Sequence, residues 1–285
     1  MKFIIIITLS LFSFTIVCSQ ESYVDSVLNE EMYYDESDVF YMEFDSNKTF
    51  HFMYANGSYN NKSFYAGREV MNPQYFLSGQ VSYFNSKGFF MGLATSSGTW
   101  FSTNNDANYN NSLTLGYGKA LKKHKWFRYN ASYSRYFSFN NGFDFSSTYS
   151  NNLHLGVGAK HKWFGTRVGL NYLFGEASKA TFSWDIYSSI TLLKMSTFNN
   201  IKVEPEVSFF YDSELVEQIN TDNSLSYTNE FGWMNTELTL PLQININDFD
   251  IELGYTINLP RSLDPNYTYN TTSFFSLSIG YIFEL

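Results

Sequence analysis

Phe275–Leu285 reads FSLSIGYIFEL. Its odd positions are Phe275, Leu277, Ile279, Tyr281, Phe283 and Leu285, and its even positions are Ser276, Ser278, Gly280, Ile282 and Glu284. One face is wholly apolar and the other small or polar, with Ile282 the exception. A period of two marks a strand whose faces meet different surroundings. The pattern recurs upstream. Tyr75, Leu77, Val81 and Tyr83 oppose Ser78, Gln80 and Ser82. Leu153, Leu155 and Val157 oppose His154, Gly156 and Gly158. Phe182, Trp184, Ile186 and Ile190 oppose Ser183, Asp185 and Ser189. Leu238, Leu240, Leu242, Ile244 and Ile246 oppose Glu237, Thr239, Gln243 and Asn245. Phe249, Ile251, Leu253, Tyr255 and Ile257 oppose Asp250, Glu252, Gly254, Thr256 and Asn258.

This alternation predicts twelve strands, at about 47–57, 74–85, 88–100, 111–123, 126–139, 150–162, 164–176, 180–193, 201–213, 229–246, 248–260 and 273–285. The connections check the count. Short ones fall at Asn85–Gly88, Lys123–Lys125, His161–Phe164, Thr197–Asn200 and Asn247–Asp248. Long polar ones fall at 58–73, 101–110, 140–149, 214–228 and 261–272, and only 177–179 is modest. Short periplasmic turns alternating with long outer loops, over an even strand number, describe an outer-membrane barrel. The fold expected is all-β: a transmembrane antiparallel up-and-down β-barrel of about twelve strands. A soluble β-sandwich or lipocalin-like barrel is the structural alternative.

The sequence also echoes itself. LTLGYG at 113–118 leads to KHKWF at 123–127, and LHLGVG at 153–158 leads to KHKWF at 160–164. Hairpin duplication is the simplest cause, and it suits an up-and-down barrel. Trp126 and Trp163 then stand where an interfacial aromatic belt meets the headgroups, with lysines beside them.

The N-terminal region reads differently. Lys2 precedes the apolar run Phe3–Val17, which is too short for a spanning helix and fits a signal peptide over residues 1–20. Val17-Cys18-Ser19 offers a cleavage site before Gln20. The rival reading, a lipoprotein acylated on Cys18, wants a small residue where Val17 is branched. Cys18 is the only cysteine, so the mature chain is expected to carry no disulfide framework. Residues 21–45 hold nine Asp and Glu and no Lys or Arg. Segment 21–46 is therefore expected to be an acidic periplasmic tail, partly disordered, with a short plug helix as the alternative, and 47–285 the barrel.

Aromatic residues make up 20% of the chain and the mean hydropathy is slightly negative, at −0.25. Neither separates a membrane barrel from a soluble β protein, so the pattern decides. No GxSxG, HExxH, P-loop or GxGxxG motif occurs. His124 and His161 lie in the repeated basic turns, and His51 and His154 are expected to face the lumen. No spacing builds a metal site or catalytic base around them. An outer-membrane enzyme would need a His with a Ser or Asp partner, and such partners are too common here to single one out.

The sharper signal is charge on the inward face. Charge facing lipid costs about 2–4 kcal/mol at the midplane, so alternation sends it to the lumen. Arg128, Lys160, Arg167, Asp185, Lys202, Glu204, Glu206, Glu237, Asp250, Glu252 and Glu284 are the lumen-lining residues this predicts. Nearly all fall in the periplasmic half. The basic ones come from strands 5 to 9 and the acidic ones mainly from strands 9 to 12, so the two arcs partly face each other. They either pair across a filled lumen or line a wet constriction with a transverse field. Docking of the acidic tail on the basic arc, as a gate, is a third arrangement.

Tyr65-Ala66-Gly67-Arg68, followed by Tyr83-Phe84-Asn85-Ser86-Lys87-Gly88-Phe89, resembles the opening of uncharacterised, porin-like outer-membrane barrel proteins of Bacteroidota-type Gram-negative bacteria. In those an AGR loop precedes a strand ending in a YYHKSG-aromatic hairpin, and the likeness continues loosely through residues 48–285. The resemblance implies fold and location in the cell outer membrane. It implies no substrate and transfers no site residue.

The function expected is a narrow channel for small polar solutes or ions. The alternative is a structural or interaction barrel with a filled lumen and partner-binding outer loops. Outer-membrane lipid and, during biogenesis, the barrel-assembly machinery are the partners expected. No cofactor, metal, catalytic residue or nucleic-acid partner is expected.

Overall fold

The structure, a computed structural model, describes residues 51–62, 64–69, 75–97, 110–121, 123–138, 149–195, 199–219 and 225–285. Twelve antiparallel strands close into a barrel, and no helix occurs among the described residues. They are β1 His51–Asn60, β2 Phe76–Asn85, β3 Phe89–Ser97, β4 Asn110–Leu121, β5 His124–Ser138 and β6 Asn151–His161. They continue with β7 Phe164–Phe174, β8 Ser178–Ser188 extended by Ile190–Lys194, and β9 Asn200–Val203 extended by Glu206–Ile219. Last come β10 Leu225–Ile246, β11 Phe249–Pro260 and β12 Thr272–Glu284. Each strand pairs with its sequence neighbours, and β12 pairs with β1 through Phe52↔Glu284 to Asn60↔Ser276. No edge is left, so every ladder group can be satisfied without water.

Burial is inverted relative to a soluble protein. Leu93, Leu155 and Phe275 are 57–60% exposed on the outer face, while Ser82, Asn152 and Asp212 inside are at most 1% exposed. A continuous apolar exterior around a polar interior is built for hydrocarbon. The barrel spans a membrane.

Large inward side chains need room from their neighbours. A Cβ on Gly116 would come within 2.2 Å of the Phe90 ring, and one on Gly280 within 2.1 Å of the Tyr54 hydroxyl. These glycines let rings lie flat against the wall of the adjacent strand. Tyr54, Phe84 and Phe90, with Phe52 and Ile282 against them, form an apolar cluster inside the periplasmic end of the β12–β3 arc.

Several boundaries differ from those the alternation predicts. The expected loop 214–228 is mostly strand: β9 and β10 pair from Ser213↔Phe231 up to Ile219↔Leu225. Beyond the bilayer both faces of a strand meet water, so no polarity rhythm reveals it. The expected loop 58–73 contains a two-rung hairpin, Phe64–Tyr65 with Arg68–Glu69, turned through Ala66 (φ 47°) and Gly67 (φ 73°). β8 breaks at Ser189 and β9 at Glu204-Pro205. Pro205 has no N–H, and its carbonyl takes the Ser188 amide at 3.0 Å instead. The second KHKWF straddles its turn, with Lys162 and Trp163 at the tip, whereas the first follows its turn into β5. Residues 1–50, which include the expected signal peptide, acidic tail and first residues of strand 1, lie outside the described residues.

Candidate functional site

Buried charged side chains gather on the inward face of β6 to β9. On β7 the inward positions are Arg167, Gly169, Asn171 and Leu173, and β8 sets Asp185 directly across from Arg167. Arg167 Nε lies 3.3 Å from Asp185 Oδ2, and Nη2 lies 2.5 Å from Glu206 Oε2 on β9. The three side chains are 4–8% exposed. Glu206 also accepts from Ser208 Oγ at 2.8 Å. The guanidinium sits 5.0 Å from the Tyr187 ring, and Lys160 on β6 approaches the same ring at 5.8 Å. One cation thus serves two carboxylates, with an aromatic face beside it.

The acidic arc continues round β9 to β11. Glu204 sits at the break in β9, its amide bonded to the Pro241 carbonyl at 3.2 Å. Asp250 accepts from the Tyr54 hydroxyl and faces Lys202 and Glu204. Glu252 accepts from Gln243 at 3.2 Å, and Glu237 from Thr239 at 3.4 Å. Arg128, Glu237, Asp250 and Glu252 are half-buried, whereas Lys160, Lys202, Glu204 and Glu206 are buried. The Glu284 side chain lies outside the described residues; its backbone pairs with Phe52.

Away from this ring the lining is neutral. Thr114 bonds Ser134 at 2.8 Å, His154 Nδ1 contacts Asn171 Oδ1 at 2.9 Å, and Asn171 Nδ2 donates to Thr181 at 3.3 Å. His154 faces the lumen as expected. His51 does not: it bonds the Tyr83 hydroxyl and stacks on that ring, on the outward face. The parity of β1 is set by Phe52 and Tyr54 pointing in, which turns His51 out. Trp163 occupies the β6–β7 turn and Trp126 the bulge that opens β5, both exposed at the short-turn rim. Among the described residues no group of three or more His, Cys, Asp or Glu is placed to hold a metal.

A second ionic cluster stands at the long-loop rim, on residues that alternation places in loops. Arg68 makes a two-pronged contact with Glu214, 2.7 Å to Oε1 and 3.0 Å to Oε2. Glu214 also accepts from the Leu263 amide at 2.7 Å, Ser262 Oγ at 3.3 Å and the Tyr269 hydroxyl at 3.3 Å. Lower down, Lys179 pairs with the buried Asp212 at 2.9 Å.

Burial opposes ionisation of Glu214, but the Arg68 and Leu263 hydrogen bonds and the Arg68 charge outweigh it and hold the carboxyl below its ordinary 4.5. The charged and titratable groups of the surrounding elements are Arg68, Arg261, Glu230, Asp264 and Tyr269. A depressed carboxyl stabilises the folded state fully above its unfolded value and loses that contribution as pH falls through the folded one. Glu214→Gln is therefore expected to lower the unfolding midpoint at pH 7. Below pH of about 4 the difference from wild type is expected to shrink. Midpoints measured across this range by tryptophan fluorescence check it, and a difference independent of pH would remove the ionic role.

No family model matches the sequence, and no curated protein matches it. Among solved structures the fold is similar to the KdgM porin, at 8% identity over 82% of this chain and 98% of that one, with a TM-score of 0.46. It is also similar to the NanC porin, at 10% identity over 80% and 98% of the two chains and a TM-score of 0.47. An outer membrane channel from Pseudomonas putida F1 matches at 9% identity over 82% and 95%, with a TM-score of 0.42. These are likenesses of barrel architecture.

Proposed function

We propose that the chain is a narrow outer-membrane channel for small polar solutes or ions, in a Bacteroidota-type Gram-negative bacterium. The observation that carries this reading is the state of Arg128, Glu237, Asp250 and Glu252. All four point inward in a closed barrel, yet they are half-buried rather than buried. Solvent that reaches them does so from the lumen. Basic side chains on β5–β7 and acidic ones on β9–β11 then hold a transverse field across that water, which orients and selects polar solutes. Export by a cleaved signal, lipid contact along the outer belt and insertion by the barrel-assembly machinery belong to the same reading. Passage needs no catalytic residue and no cofactor.

A second reading, a structural or interaction barrel with a filled lumen, draws on the buried Arg167–Asp185–Glu206 triad. Planar-bilayer recording of the purified protein separates them. Stepwise conductance is expected, and Arg128→Glu is expected to shift the reversal potential in a salt gradient towards cations. Absence of ion flux sinks the channel and leaves the filled barrel.

A further inference from the structure

The loop between β1 and β2 does not stay above its own strands. Its hairpin puts the Phe64 ring 5.4 Å from that of Phe274 on β12, and Gly67 accepts from Thr272 Oγ1 at 3.0 Å. Gly67 also lies against β10, where a Cβ would come within 2.3 Å of Asn235 Oδ1. Arg68 reaches β9 through Glu214 and the β11–β12 loop through the Arg261 carbonyl at 2.7 Å, with its guanidinium 4.1 Å from the Tyr269 ring. Going round the wall from β1, the strands met are β12, β11, β10 and β9. Four positions out of twelve are a third of the circumference. A segment joining points that far apart on a closed ring runs across the opening as a chord. Phe64 is 1% exposed and Phe274, an inward residue of β12, is 6% exposed, so the hairpin is seated inside the mouth.

We propose that Phe64–Glu69 is a latch across the extracellular mouth and that the Arg68–Glu214 pair fastens it. Glu214 suits the task because one carboxylate gathers donors from the first loop and from the β11–β12 loop. The turn that delivers Arg68 depends on Gly67. Its φ lies in the left-handed region, and its missing side chain leaves the space that Asn235 fills. Loss of the Arg68–Glu214 pair loosens the hairpin without touching the barrel ladder.

The latch is tested without assuming that the barrel conducts. Thr256→Cys places a reporter on the lumen face of β11, in register with Phe274 and so beneath the hairpin. A C18S background leaves it the only thiol. A small charged methanethiosulfonate is added to the full chain in proteoliposomes. Arg68→Gln and Glu214→Gln are each expected to speed labelling about tenfold, the effect of losing about 1.4 kcal/mol of closure. Unchanged rates in both single variants, with heat-modifiable migration showing folded barrels, overturn the latch. Should Glu214→Gln fail to fold, Arg68→Gln alone decides, since it leaves every wall strand intact. Faster labelling without ion flux upholds the latch while the channel reading falls; ion flux with unchanged labelling does the reverse.

Discussion

Arg167→Met is expected to lower the stability of the barrel by about 3–5 kcal/mol, because it takes a paired cation away from two buried carboxylates. Asp185 and Glu206 are both nearly inaccessible, and Arg167 pairs with each of them. Removing one partner of a buried ionic group costs far more than the group contributes net, since the remaining charges keep their desolvation penalty. The same logic predicts rescue. Arg167→Met combined with Asp185→Asn and Glu206→Gln is expected to recover most of the loss, as no charge is left behind. Urea unfolding in lipid vesicles, followed by tryptophan fluorescence, measures both variants. A loss below about 1 kcal/mol for the single variant, the range of exposed pairs, would show that lumen water hydrates the carboxylates, which strengthens the open-channel reading at that level.

The second large effect concerns the outside. Leu155 is 57% exposed at the middle of β6, with Ala131 and Leu170 beside it on β5 and β7. Leu155→Arg is expected to cost about 2–4 kcal/mol in a bilayer, because the guanidinium must be drawn out of the midplane. Ser278→Arg, on the inward face of β12, is the matched control. It adds the same charge where polar side chains already line the wall, so insertion yield is expected to stay near wild type while conductance falls. Equal yields for the two variants would mean that the apolar exterior does not face hydrocarbon.

The fold was largely legible because a single strand in a bilayer advertises both its faces. Leu153, Leu155 and Val157 against His154 and Gly156 define β6 by themselves, and the closed sheet follows from twelve such strands. The faces of Lys160, Arg167 and Asp185 were legible for the same reason. Their partners were not, because cross-strand contact depends on register and on the tilt that closure imposes, and neither leaves a mark in one strand. Glu206 could be placed inside but not against Arg167. The aromatic cluster of Tyr54, Phe84 and Phe90 went unforeseen although its parity was available; the glycines at 116 and 280 that make room for it were the missing signal. Arg68 and Glu214 fell in stretches read as loops. Above the membrane both faces of a chain are wet, and alternation has nothing to report.

The seam between β1 and β12 carries a consequence for how the chain becomes a barrel. Asn61 and Phe275 meet there across 214 positions of sequence. Each doubling of a closed loop adds only about 0.6 kcal/mol of entropy cost, so the distance does not weaken the finished wall. It does set the timetable. All eleven sequence-adjacent pairs, from β1–β2 to β11–β12, join strands already made, whereas the second edge of the oldest strand must wait for the youngest. Until β12 arrives, the edge of His51–Asn60 turned away from β2 offers an unpaired row of amides and carbonyls. A sheet of this topology therefore becomes a ring only when its last strand meets its first.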